Sequence, residues 1–162
     1  MRDINKLLTI LIPTKNRYYF LKRQLSFYYE VGFSGFIFIG DSSNQKVSEQ
    51  IQKLCNSYSN KLKTKYFYCP NLDEANTTRK LVNSVKTPYG VWVGDDDFLI
   101  PTGLSKCISF LEKNSNFHAA HGKGIGITKD KKRFPDLVIS QYYQPNISGD
   151  KALERLEKYL KS

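Results

Sequence analysis

Four short apolar segments alternate with helical patterns in the amino-terminal part of this chain, and this alternation constrains the fold more than any other feature. The segments Leu7–Ile12 and Phe36–Ile39 are continuously apolar, which is typical of strands buried on both faces of a parallel sheet. Strands joined through helices form right-handed βαβ units. We therefore predict an α/β fold with a mostly parallel, doubly wound sheet and strand order near 3-2-1-4. The predicted strands are Leu7–Ile12, Phe36–Ile39, Lys65–Cys69 and Tyr89–Val93.

Apolar residues recur at helical spacing between these strands. In the first interval Leu21 and Leu25 share a helical face, and in the third the pattern places Ala75, Thr78, Val82 and Val85 on one side. Polar residues at the starts of the intervals predict helix caps. The predicted helices are Arg17–Val31, a polar helix capped by Ser43 or Asn44 that runs to about Tyr58, a helix from Asp73 or Asn71 to Val85, and Pro101–Lys113.

The remainder of the chain is less regular. The pattern predicts extended structure from His118 to Thr128, a strand over Phe134–Tyr143 and a helix that opens at Gly149 and Asp150. This amphipathic helix runs into the end of the sequence, so we expect its apolar stripe to pair with a second copy of the chain or with a missing C-terminal segment. The stripe consists of Leu153, Leu156 and Leu160.

Composition narrows the class of protein. At 162 residues with 40% apolar residues, the chain is long enough for one domain with a core, and disorder is not expected. Its apolar runs are too short for a membrane span, and no signal-peptide pattern opens the chain. Cys55, Cys69 and Cys107 lack the spacing of a zinc site or a disulfide framework. We therefore expect reduced thiols in a cytoplasmic protein.

The formal net charge is +10. A solvated basic surface is the simplest interpretation, followed by attraction to anionic nucleotides, polysaccharide or phospholipids. The phospholipid alternative implies peripheral contact with the inner membrane surface. No helix-turn-helix, zinc-finger or RNP-type motif is present, so we expect no nucleic-acid partner.

Three consecutive aspartates, Asp95, Asp96 and Asp97, follow the fourth predicted strand and precede Pro101. Open α/β sheets bind ligands at the carboxyl ends of their strands. Carboxylate oxygens suit Mg²⁺ or Mn²⁺, and such ions commonly bind together with a phosphorylated substrate. The alternative interpretation is a solvated acidic turn that precedes a helix.

Further polar residues follow the other predicted strands. Thr14 and Asn16 follow strand one, Asp41 follows strand two and can accept hydrogen bonds from a ribose or base, and Arg79 can pair with a base or phosphate. The turn over residues 13–17 contains no glycine, which excludes a Rossmann dinucleotide site and a P-loop. A nucleotide would therefore be held by side chains and a metal ion. Each residue also has a structural interpretation as a turn, cap or surface residue.

Three stretches in order resemble the amino-terminal half of family-2-like GT-A glycosyltransferases. They are LTILIPTKNR at residues 8–17, FIGDSS at 38–43 and GVWVGDDD at 90–97, the last followed by Pro101. The resemblance implies a fold like that of nucleotide-diphospho-sugar transferases. It also implies that Asp95 and Asp97 bind Mn²⁺ or Mg²⁺, with the register of the triple aspartate ambiguous by one position. The implied donor-binding residues are Pro13, Thr14, Asn16, Arg17, Asp41, Arg79, Asp95 and Asp96.

The resemblance further implies that residues 1–100 bind the nucleotide-sugar donor and that residues 101–162 begin the acceptor half of the same domain, which looks cut short. An inverting enzyme needs a carboxylate base, and the candidates are Asp136, Asp150 and Glu154.

The leading hypothesis is thus a metal-dependent, inverting glycosyltransferase that moves a sugar from a nucleotide-diphosphate donor to a polysaccharide, glycolipid or other lipid-linked acceptor. The alternatives are a nucleotide-sugar-binding module without turnover and another metal-dependent, phosphate-handling α/β enzyme.

Overall fold

The computed structural model describes residues 4–129, 137–142 and 147–160. These residues divide into two compact units, one that ends at Ala120 and one that begins at His121. The predicted boundary at residue 100 separates a donor-binding part from an acceptor-binding part. It is a functional boundary, not a division into compact units, and it stays a prediction.

A four-stranded parallel sheet forms the centre of the first unit. Its strand order is β3-β2-β1-β4, and every pairing between neighbouring strands is parallel, as the sequence predicts. A short 3₁₀ turn precedes the first strand. The strands are β1 (Leu8–Thr14), β2 (Phe36–Asp41), β3 (Lys63–Tyr68) and β4 (Tyr89–Trp92).

Helices cover both faces of this sheet. The helices α1, α2 and α4 contribute to the larger apolar core, which they form with the residues of β1 and β2 that face them. On the opposite face, Leu81 of α3 packs against Leu11 and Phe38. The helices are α1 (Tyr18–Glu30), α2 (Gln45–Tyr58), α3 (Glu74–Val82) and α4 (Pro101–Lys113).

The strand β1 is buried along its whole length. Its alternate residues face the two cores: Ile10 and Ile12 lie in the larger one and Leu11 in the smaller one. Burial on both faces explains why its sequence is a continuous apolar run instead of an alternating pattern. The central position of β1 also places its carboxyl end, at Thr14, between the ends of β2 and β4.

The buried face of α3 differs from the predicted one. The helix buries Thr77 and Leu81, whereas Ala75 and Val82 are exposed. Val85, which follows the helix, packs against the smaller core as predicted. The helix packs so closely on β2 that a Cβ atom on Gly40 would lie 2.5 Å from Thr77 Cγ2. The pattern of apolar residues did not predict this buried face, because the residue that faces Gly40 is a threonine. Predicted caps were correct, since Asn44 and Asp73 each accept a hydrogen bond at the N-terminus of α2 and α3.

The described residues of the second unit form an antiparallel strand pair and one helix. The strands are β5 (Gly124–Lys129) and β6 (Leu137–Tyr142), and the helix is α5 (Ala152–Leu160). The extended structure predicted from His118 forms a strand only from Gly124 onward. Residues 134–136 and 143 of the predicted strand lie outside the described residues. Leu153 and Leu156 are exposed, as the predicted stripe implies, and the side chain of Leu160 lies outside the described part of the chain.

None of the described helices combines the length and the apolar character that a membrane crossing requires.

Candidate functional site

A cleft of about 350 Å³ lies at the carboxyl ends of the parallel strands. This is the edge at which α/β sheets bind ligands. Residues from the β1–α1 loop, the N-terminus of α3 and the aspartate segment after β4 contribute to it. The lining residues are Pro13, Thr14, Lys15, Arg17, Ser42, Leu72, Glu74, Thr77, Trp92, Gly94, Asp95, Asp96 and Asp97.

The three aspartates form a tight turn after β4. The Asp97 amide donates a 3.2 Å hydrogen bond to the Gly94 carbonyl, which closes the turn. Within it Asp95 points inward, with 5% of its surface exposed, while Asp96 and Asp97 are exposed. A Cβ atom on Gly94 would lie 3.0 Å from Asp96 Oδ1 and 3.6 Å from Asp97 Oδ2. The two exposed carboxylates therefore fold back over Gly94, which brings them together at the cleft.

The buried Asp95 carboxylate has a partner at each oxygen. Thr14 Oγ1 donates a 2.6 Å hydrogen bond to Oδ2, and Arg17 Nε lies 3.1 Å from Oδ1. Burial raises the pKa of Asp95 above its ordinary value, and the Thr14 hydrogen bond and the Arg17 charge oppose that rise. The end of β1 thus fixes the orientation of this carboxylate.

Arg17 also pairs with the second aspartate. Its Nη2 atom lies 2.7 Å from Asp96 Oδ2, and this hydrogen bond lowers the pKa of Asp96. The same contact raises the pKa of Arg17. The guanidinium carbon also lies 4.2 Å from the centre of the Phe20 ring, a cation–π distance. One guanidinium therefore neutralises part of the charge of two neighbouring carboxylates.

Gln24 is a residue of this site that the sequence analysis missed. Its side chain is 0% exposed, and Nε2 donates hydrogen bonds to the carbonyls of Gly94 at 2.9 Å and Asp97 at 2.7 Å. Within the described residues, its Oε1 atom has no hydrogen-bond partner. The signal in the sequence was a glutamine on the helix face that carries Leu21, Leu25 and Tyr28. Gln24 clamps both ends of the aspartate turn to α1.

Asp41 is buried and engaged within the chain. Its Oδ1 accepts a 2.8 Å hydrogen bond from the Ser43 amide, and its Oδ2 accepts a 2.8 Å hydrogen bond from the Tyr66 hydroxyl. The carboxylate is 0% exposed and does not line the cleft. Its predicted contact with a base or ribose stays a prediction. The absence of Asp41 from the cleft lining does not favour that contact.

Asn16 joins the loops after β1 and β2. Its backbone amide donates a 2.7 Å hydrogen bond to Ser43 Oγ, and its Oδ1 accepts a 3.1 Å hydrogen bond from the Asn44 amide. Its φ of 57° lies in the left-handed region, which asparagine tolerates better than most residues. The predicted nucleotide contact stays a prediction, because in this structure Asn16 holds the loops and is absent from the cleft lining.

Arg79 is not part of the cleft. It is exposed on α3, and the residues of that helix that line the cleft are Glu74 and Thr77. Arg79 follows Thr77 by two positions, a rotation of about 200° around the helix, so it projects away from the sheet. Like Asn16 and Asp41, Arg79 is therefore absent from the cleft lining, and its predicted contact with a donor stays a prediction.

Trp92 and Glu74 are cleft residues that sequence reasoning missed. Trp92 is the last residue of β4 and half-exposed, and Glu74 is the first residue of α3. Among the described residues β4 is the last strand of the sheet, which leaves the Trp92 side chain partly exposed at the cleft.

The fit of this site to a divalent cation rests on its oxygen donors. No cluster of three potential His, Cys, Asp or Glu ligands occurs in the part of the chain that the structure describes. Mg²⁺ commonly binds through one or two carboxylates and completes its coordination with substrate phosphates and water. The aspartate turn supplies carboxylates of that kind, and the binding of a cation by Asp95 and Asp97 stays a prediction, since Thr14 and Arg17 contact both oxygens of Asp95 in this structure.

The candidate catalytic bases lie elsewhere. Asp136 is outside the described residues, and Asp150 and Glu154 belong to the second unit. Asp150 is exposed. Glu154 lies 2.7 Å from Lys158 Nζ, and this contact lowers the pKa of the glutamate. A base that works near neutral pH benefits from a raised pKa, so the Lys158 contact is unfavourable for that role.

No protein-family model matches this sequence, and neither does any curated protein.

Solved structures do resemble it. A mannosyltransferase from Pyrobaculum calidifontis, in complex with GDP-Man and Mn²⁺, matches with a TM-score of 0.55 and 14% identity over 64% of this chain and 32% of its own. TarS from S. aureus, residues 1–349, matches with a TM-score of 0.52 and 15% identity over 67% of this chain and 33% of its own. The chain therefore spans about a third of the length of these structures. The likeness confirms the predicted GT-A-like parallel-sheet fold, and at this identity it is the fold alone that it shows.

Proposed function

We propose that this chain binds the nucleotide-diphosphate sugar of a glycosyltransferase reaction in the cleft at the carboxyl ends of β1 and β4. The observation that carries the proposal is the aspartate turn, whose buried Asp95 is held by Thr14 and Arg17. Parallel sheets place ligand sites at this edge, and one of the solved structures that resemble this chain is a mannosyltransferase in complex with GDP-Man and Mn²⁺.

Asp95 and Asp97 would hold Mn²⁺ or Mg²⁺ together with the donor phosphates. If the family motif aligns with the triple aspartate one position earlier or later, Asp96 would be one of the metal ligands. The ion supplies Lewis-acid stabilisation of the leaving diphosphate when it is bound. Arg17 already contacts carboxylate oxygens of Asp95 and Asp96. We therefore expect the guanidinium and the cation to compete for the same oxygens until the anionic donor arrives.

The other residues of the cleft suit the remainder of such a donor. Lys15 and Arg17 contribute positive charge that favours the diphosphate. Trp92 offers an exposed aromatic face on which a nucleobase or a sugar ring can pack. Gln24 holds the aspartate turn through hydrogen bonds to two of its carbonyl groups. In this proposal it positions the carboxylates and does not itself contact the donor.

The acceptor of the transfer is a saccharide or lipid-linked saccharide in this proposal, and the reaction proceeds with inversion. The described residues of the cleft offer Glu74 as the acidic side chain outside the aspartate turn. It joins Asp136, Asp150 and Glu154 as a candidate base. The cysteines that the structure places are free thiols, which agrees with the proposed cytoplasmic location.

A ligand-dependent melting experiment tests the proposal. A panel of UDP- and GDP-sugars is added with Mn²⁺, with Mg²⁺ or with a chelator. At about 100 times the Kd, the donor adds about 2.7 kcal/mol to the free energy of unfolding, a rise in Tm of about 5–10 °C for a chain of this size. We expect the rise to need the divalent cation.

The matched variants are Asp97→Asn and Asp150→Asn, which make the same chemical change at the cleft and in the second unit. Asp97→Asn should abolish most of the rise in Tm, and Asp150→Asn should retain it. An unchanged rise in Asp97→Asn would exclude the metal assignment. A rise that persists in chelator would exclude metal-dependent donor binding.

Donor binding without turnover is the second candidate function. It is favoured by the Glu154–Lys158 contact, which lowers the pKa of one of the candidate bases. Single-turnover transfer to water or to a saccharide separates the two functions. Binding with release of the nucleoside diphosphate supports the enzyme, and binding without release supports the module.

A further inference from the structure

A second concave site lies between α1 and α2, away from the donor cleft. It has a volume of about 440 Å³ and shares no lining residue with the cleft. Both helices contribute to the same apolar core, and the lining of the groove includes the buried Leu54. The lining residues are Tyr18, Lys22, Gln50, Lys53, Leu54, Ser57, Tyr58 and Lys61; we call this site the α1–α2 groove.

The charge of the α1–α2 groove is not neutralised by neighbouring side chains. Its lining contains three lysines and no acidic residue. Among the described residues, none of these lysines forms an ion pair. The carboxylates closest in sequence accept hydrogen bonds from neutral groups: Glu30 from Ser26 and Glu49 from Gln45. The three lysines of the lining therefore stay available to an anion.

Aromatic contacts hold one of these lysines at the groove. Lys61 Nζ lies 5.1 Å from the centre of the Tyr29 ring and 5.7 Å from that of Tyr58. The two rings pack edge to face with centroids 6.2 Å apart. Such cation–π contacts reduce the number of positions that the ammonium group samples. Part of the entropy of ordering Lys61 is thereby lost before any ligand binds.

Hydrogen-bonding groups accompany the charge. The phenol groups of Tyr18 and Tyr58 and the amide of Gln50 can each donate to an anion. A phosphate monoester carries about −1.5 to −2 charges at neutral pH and offers three acceptor oxygens. A phosphate monoester therefore suits three lysines and several neutral hydrogen-bond donors better than a ligand with a single carboxylate does.

We propose that the α1–α2 groove binds the phosphate group of a phosphate ester, independently of the donor cleft and of a divalent cation. The volume suits a phosphate with a small polyol, within the range of small-molecule sites. Free phosphate esters and the headgroups of anionic lipids share this chemistry. Binding would anchor such a phosphate on the helical face next to the cleft, whose residue Arg17 directly precedes Tyr18.

Amide NMR in the presence of chelator tests the proposal, because the chelator removes metal-dependent binding at the cleft. Glycerol 3-phosphate is titrated into the protein, and saturable shifts are expected at the amides of Lys22, Lys53 and Lys61. The Lys22→Gln, Lys53→Gln, Lys61→Gln triple variant should bind on the order of 100-fold more weakly, about fivefold for each lysine.

The control variant is Lys46→Gln, Lys86→Gln, Lys106→Gln, which removes the same charge from exposed lysines outside the groove. It should bind within about threefold of the parent, since only long-range attraction changes. Equal loss in both triple variants would overturn the proposal in favour of general attraction to a basic surface. Saturable shifts confined to the cleft, or no saturable shift, would also overturn it.

Vesicle sedimentation then identifies the source of the phosphate. Vesicles of phosphatidylcholine with and without phosphatidylglycerol are compared for both triple variants. Binding that needs phosphatidylglycerol and is lost only in the groove variant supports a lipid headgroup as the source. Glycerol 3-phosphate binding without vesicle binding supports a free ester.

Discussion

Thr14 Oγ1 donates a 2.6 Å hydrogen bond to Asp95 Oδ2 across a sequence separation of 81 residues. The bond joins the carboxyl end of the central strand to the first residue of the aspartate turn. Asp95 is buried, and a buried carboxylate needs hydrogen-bond donors to stay ionised without a large cost in free energy. The packing of β1 beside β4 therefore sets both the position and the ionisation of this carboxylate.

Replacement of Thr14 by valine removes this donor at nearly constant shape. We expect the free energy of unfolding to fall by about 1.5–3 kcal/mol, the usual range for a hydrogen bond to a charged group, and the pKa of Asp95 to rise further. Urea denaturation at pH 7 measures the first effect. Thr14→Ser retains a hydroxyl and is the matched control. Equal stability of the valine and serine variants would contradict the assigned role of the hydroxyl.

Removal of the Gln24 amide should loosen the aspartate turn. Gln24→Leu deletes two hydrogen bonds to the carbonyls of Gly94 and Asp97, so we expect a loss of about 1–3 kcal/mol in the free energy of unfolding. Faster hydrogen exchange is expected at the Asp97 amide, whose bond closes the turn. Gln50→Leu, on the exposed surface of α2, is the control and should leave that exchange unchanged. Unaltered exchange in Gln24→Leu would exclude the clamp.

The sequence predicted the fold better than the site, and particular residues show why. The strand order follows from apolar runs such as Leu7–Ile12, because helical connections between parallel strands leave few topologies. The partners of Asp41 and Asp95 depend on residues of other strands, Tyr66 and Thr14, whose approach no local pattern encodes. A polar residue such as Gln24 on an apolar helix face gives a signal, but its partners emerge only once the turn is packed.

The buried face of α3 also depends on residues that are distant in sequence. An apolar count favoured Ala75 and Val82, whereas close packing at Gly40 selects Thr77. The choice also bonds the Thr77 hydroxyl to Ser42 Oγ at 2.7 Å. With Thr77 turned toward the sheet, Arg79 does not line the cleft, and its contact with a donor stays a prediction.

The Tyr66 hydroxyl should be important for stability. It donates to the buried Asp41 carboxylate, and burial together with this hydrogen bond raises the pKa of Tyr66. Tyr66→Phe leaves a buried carboxylate oxygen without its donor, which costs about 1–3 kcal/mol. At about 2–4 °C per kcal/mol for a chain of this size, we expect calorimetry to show a clear fall in Tm.

The control for this change lies on the same strand. Tyr68→Phe removes an exposed hydroxyl and should change the Tm by less than about 1–2 °C. A similar fall in both variants would show that the phenol groups act through general solvation of β3 and not through Asp41.

The first two aspartates of the turn should respond to pH with opposite sign. The hydrogen bond from Arg17 lowers the pKa of Asp96 below its ordinary value of 3.8. Its ionised form therefore contributes stability that is present above pH 3.8 and is lost as the pH falls through the lowered pKa. The contribution is at most about 1 kcal/mol because the pair is exposed to solvent.

Burial instead raises the pKa of Asp95, so its contribution to stability is fully present below pH 3.8 and is lost as the pH rises through the raised pKa. Chemical denaturation of Asp95→Asn and Asp96→Asn from pH 7 to pH 3, in chelator and at low salt, measures both effects. The destabilisation by Asp96→Asn should shrink on acidification and in high salt. The destabilisation by Asp95→Asn should grow on acidification, because the parent gains stability when Asp95 is protonated. Parallel pH trends in the two variants would contradict the inward position of Asp95 and the outward pairing of Asp96 with Arg17.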